Sequence, residues 1–139
     1  MTPEELLTLA RSDSWADRAQ AGRGLSGFVG DPQVDEAVRY LLLNAGDTAV
    51  IDATAEALLE RGDVAALRLF AYAWRRADGE YADHLSSALS GLFFTLSCGS
   101  SADRDGFRSL LHELLADVDV TVRDGAQNLL TRLDWVRFE

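Results

Sequence analysis

Few side chains in this sequence have the chemistry that catalysis or metal binding requires. His84 and His112 could act as general bases or metal ligands, and Cys98, the lone cysteine, could act as a nucleophile. The two histidines fall on different types of predicted helix, and Cys98 lies beside glycine and serine. The sequence shows no Ser-His-Asp set, no metal-spaced His-Cys cluster and no glycine-rich phosphate loop. We therefore expect a protein that is not an enzyme and that has no cofactor or metal.

The balance of charges argues against nucleic acid as a partner. The chain has 13 Lys and Arg residues against 23 Asp and Glu residues, which gives a net charge of −10. A protein that binds a nucleic-acid backbone must neutralise phosphates, and a strongly acidic chain is unsuited to that. An acidic surface instead attracts a basic partner and matches its potential after docking. We expect the partner to be another protein with a basic surface, and no nucleic acid.

Composition also predicts where the protein works. No apolar run is long enough to span a membrane, and the start, Met1–Glu5, lacks the basic and apolar regions of a signal peptide. A lone cysteine fits a reducing compartment. All 13 basic residues are Arg, which is typical of GC-rich bacterial genomes. We expect a cytoplasmic bacterial protein that contacts no membrane.

Helical periodicity runs through the whole chain. Apolar residues recur every three or four positions, Gly, Asp and Pro fall between these stretches, and no alternating strand pattern competes. The length suits one domain with its own core, so we expect residues 1–139 to form a single domain. Four helix pairs are predicted, with first helices at 3–11, 32–44, 63–77 and 103–116 and second helices at 15–28, 48–60, 80–97 and 119–133.

The most specific pattern lies at residues 110–133. They predict a leucine-rich helix, a turn with Asp, and a second helix that begins Val122-Arg123 and continues with Ala126 and Leu130. The spacing of these last three residues recurs, outright or with substitutions, from three earlier anchor positions: Arg18, Ile51 and Ala82. Three aspartates each lie four residues before an anchor, where they can cap the coming helix: Asp47, Asp78 and Asp119.

The pattern of residues 110–133 resembles the HEAT repeat, whose second helix opens with Val-Arg-x-x-Ala-x-x-x-Leu. The resemblance implies an all-α fold, a right-handed α–α solenoid of about four short HEAT-like helical hairpins. In HEAT proteins the arginine of the second helix commonly pairs with turn aspartates, which implies that Arg123 pairs with Asp117 or Asp119. We expect the arginines at matching places on the first helices to be solvated on the convex face: Arg39, Arg68 and Arg108.

The resemblance also implies where a partner binds, because the second helices of HEAT proteins usually line the concave face. Three of the four residues that directly follow an anchor are aspartates, and the fourth is Ala19. Glu56 lies one helical turn after the first of these aspartates. The predicted partner-binding residues are Asp52, Glu56, Asp83, His84 and Asp124. The alternative is that these charges only solvate the outer side of amphipathic helices.

These features predict a non-catalytic protein–protein interaction module. A specific form is an inhibitor or immunity-type protein that covers the basic active surface of a toxin. A second hypothesis is a chromophore-lyase-like or accessory HEAT subunit that binds a small ligand, which requires an apolar pocket beside third-repeat aromatics such as Phe70 and Trp74. A third is a nucleic-acid-binding HEAT-like enzyme, indicated only by Arg75-Arg76 beside Trp74. We expect residues 134–139 to cap the last repeat or to form a contact element.

Overall fold

The chain is helical throughout the part that the structure describes. The computed structural model describes residues 1–136. Every predicted helix is present, with ends within three residues of the prediction, so the all-α class is confirmed. A 3-10 turn, Ser26–Phe28, follows the second helix. The α-helices are α1 Pro3–Leu9, α2 Trp15–Leu25, α3 Pro32–Leu43, α4 Thr48–Arg61, α5 Val64–Arg76, α6 Gly79–Cys98, α7 Ser101–Leu114 and α8 Val120–Trp135.

Short polar side chains set the starts of most helices. Asp47 accepts a hydrogen bond from the Ala49 amide and Asp119 accepts one from the Thr121 amide, which confirms two of the predicted caps. Asp78 occupies the N-cap position of α6, but its side chain makes no capping hydrogen bond, so this part of the prediction was wrong. The next residue, Gly79, has a left-handed φ of 53°. A capping side chain requires an extended residue followed directly by helical ones, and Gly79 breaks that order.

The helices form two rows around a shared core. In one row α4 lies between α2 and α6, and in the other α3 contacts α1 and α5, and α5 contacts α7. α4 also packs on α3 and α5, which joins the rows. The buried apolar side chains form one cluster that extends from Leu6 to Leu133 and includes the fully buried Leu58 and Phe70.

The last helix departs from this order. α8 packs on α7, as the paired arrangement requires, but its most extensive contact is with α5. α6 packs mainly on α4 and buries Leu85, Leu89 and Leu96 along its 20 residues. α5 is consequently contacted by α3, α4, α7 and α8.

Two glycines allow neighbouring helices to approach closely. A Cβ added to Gly125 in α8 would overlap the carbonyl oxygen of Ala71 in α5, and it would lie 2.7 Å from the carbonyl carbon. A Cβ added to Gly22 in α2 would overlap the hydroxyl of Thr54 in α4. The absence of a side chain therefore lets α8 rest on the backbone of α5, and α2 on the side chain of Thr54.

Arginines of two second helices hold the turns that precede them. The Arg18 guanidinium donates to the carbonyl of Ser12 at 2.8 Å and to that of Ala45, in the next turn, at 3.4 Å. Arg123 donates to the carbonyl of Asp117 at 2.7 Å. The predicted contact between Arg123 and Asp117 therefore forms to the backbone oxygen and not as an ion pair. In both cases the guanidinium satisfies a carbonyl that the turn leaves without a helical partner.

The carboxylate of Asp117 has a different partner, which corrects the expected solvation of the first-helix arginines. Arg68 binds both oxygens of this carboxylate, with N–O distances of 2.8 and 3.1 Å. Hydrogen bonding from Arg68 holds the pKa of Asp117 below its ordinary value of 3.8. Arg108 likewise pairs with Asp134. The predicted solvation was wrong for Arg68, whose partner lies 49 residues away in the chain, whereas the side chain of Arg108 remains 40% exposed.

The last helix, α8, reaches almost to the end of the described residues. α8 continues through Asp134 to Trp135, whose side chain is 76% exposed. The rest of the segment that was expected to cap the last repeat or form a contact, Arg137, Phe138 and Glu139, lies outside the described residues. Among residues 1–136, no helix combines the length and apolar character needed to cross a membrane.

Gly125→Ala should destabilise the protein. The new methyl group meets backbone atoms of Ala71 that cannot rotate away, so overpacking outweighs the better helix propensity of alanine. We expect a loss of about 1–3 kcal/mol in the free energy of unfolding, measured by urea denaturation. Gly106→Ala in α7 is the control, because a Cβ there meets nothing within 4 Å. Equal effects of the two substitutions would contradict the close α5–α8 contact.

Arg68→Met should cost roughly 1–3 kcal/mol at neutral pH, because it leaves the half-buried Asp117 carboxylate without its main donor. The pKa of Asp117 is lower in the folded state than in the unfolded state. The pair's contribution to the free energy of unfolding is therefore complete above the pKa of the unfolded state, and it is lost as the pH falls through the pKa of the folded state. The difference between wild type and variant should therefore shrink below about pH 4 in urea titrations.

Arg61→Met provides the matched control for that experiment. It breaks a more exposed ion pair, between Arg61 and Asp63, and such pairs contribute about 0–1 kcal/mol. A loss in Arg68→Met no larger than in Arg61→Met would show that the Arg68–Asp117 pair does not hold α5 to the turn before α8.

Candidate protein-binding surface

A row of carboxylates follows the outer face of α4. Asp52, Glu56 and Glu60 are spaced four residues apart, so successive members stand about 6 Å apart along the helix axis. Glu56 and Glu60 are exposed, and the side chain of Asp52 is 41% exposed. Their alignment follows from helical geometry, because residues at i and i+4 share a face.

These carboxylates line an open groove between α4 and the end of α2, which we call the α4 groove. Its volume is about 670 Å³. The α4 side contributes a stripe of small side chains beside the acidic row, and the α2 side contributes Ser26, Gly27 and Arg23. The small residues of α4 are Ala49, Ala53 and Ala57, and Arg61 closes one end. The α4 groove therefore combines a shallow floor of small side chains with an acidic wall on α4 and an arginine from each of the two helices.

One predicted residue from the neighbouring helix joins this row. His84 in α6 places its Nδ1 2.7 Å from the Oδ1 of Asp52, and the ring nitrogen donates to the carboxylate. The contact connects residues 32 positions apart and joins α6 to the face of α4. The histidine side chain remains 29% exposed.

The structure brings together three of the five residues predicted to bind a partner. Asp52, Glu56 and His84 lie on adjoining α4 and α6. Asp83 is exposed and directly precedes His84, but no hydrogen bond or ion pair in residues 1–136 connects it to the row. Asp124 is exposed on α8, the helix that packs chiefly on α5, and it is not among the residues of the α4 groove.

Sequence reasoning missed Glu60 and the small-residue floor. Glu60 could have been found, because it continues the four-residue spacing from Asp52 through Glu56. The small-residue floor could not, because its place in the groove depends on how closely α2 approaches α4 at Gly22.

The side chains that could do chemistry are separated in the fold. His84 contacts Asp52, but its Nε2 makes no hydrogen bond with the part of the chain that the structure describes. His112 and Cys98 are exposed on α7 and α6. In residues 1–136, no group of three or more His, Cys, Asp or Glu residues is arranged to hold a metal ion. The arrangement around His84 therefore supplies an oriented imidazole and a carboxylate, but no nucleophile in contact with them.

A second groove, of about 650 Å³, lies among α1, α2 and α3. It has both apolar and charged walls, with Leu7 and Ala37 beside Arg18, Glu36 and Tyr40. The small-ligand hypothesis requires a pocket at the third-repeat aromatics, which this groove does not contact. Those aromatics pack together, with Phe70 fully buried and its ring centroid 6.0 Å from that of Trp74.

Comparison with known proteins adds no relative from which a function could be inferred. The chain matches no family model, no curated protein and no solved structure.

Proposed function

We propose that this protein is a non-catalytic interaction module that binds a basic protein on its second-helix face, with the α4 groove at the centre of the contact. The observation that carries the proposal is the aligned carboxylate row of Asp52, Glu56 and Glu60 over a floor of alanines. His84 and Asp83 extend the proposed surface onto α6. Asp124 belongs to the predicted set, and its place on α8 makes it a peripheral contact.

Charge supports this assignment at long range and at contact. A net charge of −10 attracts a basic protein before it docks, and the carboxylate row gives it a place to bind. Arginine side chains of a partner can pair with carboxylates through two parallel hydrogen bonds. Within residues 1–136, Glu56 and Glu60 form no ion pair and Asp52 pairs only with His84, through one oxygen, so the row can receive such donors.

The shape of the α4 groove also supports the proposed binding of a basic protein. The floor of the α4 groove is made of alanine, serine and glycine, and a Cβ at Gly27 would meet nothing within 4 Å. Small side chains let the partner's backbone approach closely, so that arginine or lysine side chains can reach the acidic wall. A floor of this kind also buries apolar surface on docking, which contributes the larger part of most binding free energies.

We infer that the helix pairs form a HEAT-like solenoid. Two features support this inference: the ordered rows of first and second helices, and the equivalent bonds of Arg18 and Arg123 to the carbonyls six residues before them. In such an arrangement α2, α4 and α6 form one face, on which the α4 groove is central. The irregular place of α8 against α5 would limit the solenoid to a short stack.

The specific form that we propose is an inhibitor or immunity-type protein that covers the basic active surface of a toxin in the cytoplasm. Acidity and small size support this role, because an inhibitor needs one large complementary surface. The exposed thiol of Cys98 fits a reducing compartment.

Replacing Asp52, Glu56 and Glu60 with Ala should abolish capture of a basic partner from lysate of the native host. Loss of three carboxylates at the centre of the contact should weaken the affinity about a hundredfold or more. The control variant replaces three exposed carboxylates on other helices, Glu4, Asp105 and Glu113, so that both proteins have the same net charge.

The captured protein must be basic and must be retained by the control variant. Equal loss in both variants would show that net charge, not the α4 groove, drives binding. Equal retention in both would place the contact elsewhere, and failure of wild type to retain any basic protein would contradict the proposed function.

A further inference from the structure

A second charged surface lies on α3 and α5, away from the α4 groove. The guanidinium of Arg39 in α3 stands 5.5 Å from the centre of the Tyr72 ring in α5, and that of Arg76 stands 5.6 Å from the same centre. We call these three residues the Arg–Tyr–Arg stack. Cation–π attraction to one ring holds two positive charges close together despite their mutual repulsion.

These two arginines have no acidic partner, although acidic residues outnumber basic ones in the chain. Within residues 1–136, ion pairs engage Arg61, Arg68 and Arg108, but no carboxylate lies within ion-pair distance of Arg39 or Arg76. Asp35, one turn before Arg39, accepts a hydrogen bond from the Gly30 amide through its Oδ1 and forms no ion pair with Arg39. The stack therefore holds two positive charges that pair with no carboxylate in residues 1–136, on an acidic protein.

Stacking leaves the hydrogen-bonding edges of a guanidinium free. Both guanidinium carbons lie over the Tyr72 ring, and the N–H groups of a guanidinium lie in its own plane, where they can bind a carboxylate or phosphate through two bonds. Neither Arg39 nor Arg76 uses its N–H groups in a hydrogen bond with another described residue. Arg76 is exposed and Arg39 half-buried, so an incoming anion can reach both.

We propose that the Arg–Tyr–Arg stack is a binding site for a carboxylate-rich segment of a protein. This goes beyond the proposed function, because the ligand has the opposite charge and contacts the other row of helices. Arg39 and Arg76 each bind a carboxylate, and Tyr72 positions the two guanidinium groups. The neighbouring Arg75 is exposed and adds to the local positive potential.

A protein segment suits this site better than a nucleic acid. Binding to a nucleic-acid backbone requires basic residues along several successive phosphates, and its affinity falls when the rest of the protein repels the strand. The stack offers two anchored positive charges on a chain with a net charge of −10. Two adjacent acidic side chains of a peptide match these two positive charges. A short peptide also avoids most of the repulsion from the acidic remainder of the protein.

The test uses a fluorescein-labelled octaglutamate peptide and measures its anisotropy against the full chain at low ionic strength. The double variant Arg39→Gln/Arg76→Gln should bind the peptide about tenfold more weakly than wild type. Arg11→Gln/Arg132→Gln removes two exposed arginines outside both the stack and the α4 groove, with the same change in net charge, and should bind within about twofold of wild type. Tyr72→Leu should weaken binding several-fold while both charges remain, as the positioning role requires.

Circular dichroism and urea denaturation of each variant establish that it is folded. A labelled single-stranded DNA octamer is the second ligand, measured under the same conditions. Equal weakening in the two double variants would overturn the site, and so would a peptide that wild type does not bind. Tighter binding of the DNA than of the peptide would overturn the assignment to a protein segment. None of these outcomes depends on whether a basic partner binds the α4 groove.

Discussion

The close contact between α5 and α8 is the constraint on which the arrangement of the other helices depends. Gly125 removes the one side chain that would separate α8 from the Ala71 carbonyl, so α8 covers α5 in addition to pairing with α7. α5 then has neighbours on four sides, and its polar side chains at the edges serve different purposes. Arg68 fixes the turn before α8, and Tyr72 holds two arginines at the surface. The single helix α5 thus contributes side chains to the core, the arginine that fixes a turn, and the tyrosine of the charged surface.

The two rows of helices differ in the charge that they expose. The α2–α4–α6 row carries Asp52, Glu56 and Glu60 beside a floor of small residues, with His84 bonded to the first carboxylate. The α3–α5 side carries uncompensated arginines. Because surface charges act over about 8 Å at physiological ionic strength, the field near each face is set mainly by the residues on it. A strongly acidic chain can therefore attract a basic partner on one side and an acidic segment on the other.

Local features of the fold could be predicted from the sequence, and long-range ones could not. All eight helices follow from apolar periodicity and from caps such as Asp47 and Asp119, which act within a few residues. The contact of α8 with α5 depends on the close approach of the α8 backbone at Gly125 to the backbone of α5, which cannot be predicted from apolar periodicity. The Arg68–Asp117 pair joins positions 49 residues apart, so position on a helix alone suggested solvation. Asp52, Glu56 and His84 lie on the neighbouring helices α4 and α6, whereas Asp124 lies on α8, which packs chiefly on α5.

The most direct test of the central claim, that the α4 groove receives a basic partner, is an NMR titration of the ¹⁵N-labelled protein with an arginine-rich helical peptide. The account predicts that the largest amide shifts fall on Asp52, Glu56 and Glu60 and on His84 across the groove. Shifts of equal size at exposed carboxylates on other helices, such as Asp105 and Glu113 of α7, would contradict it. That result would show that the acidic surface attracts cations without a site.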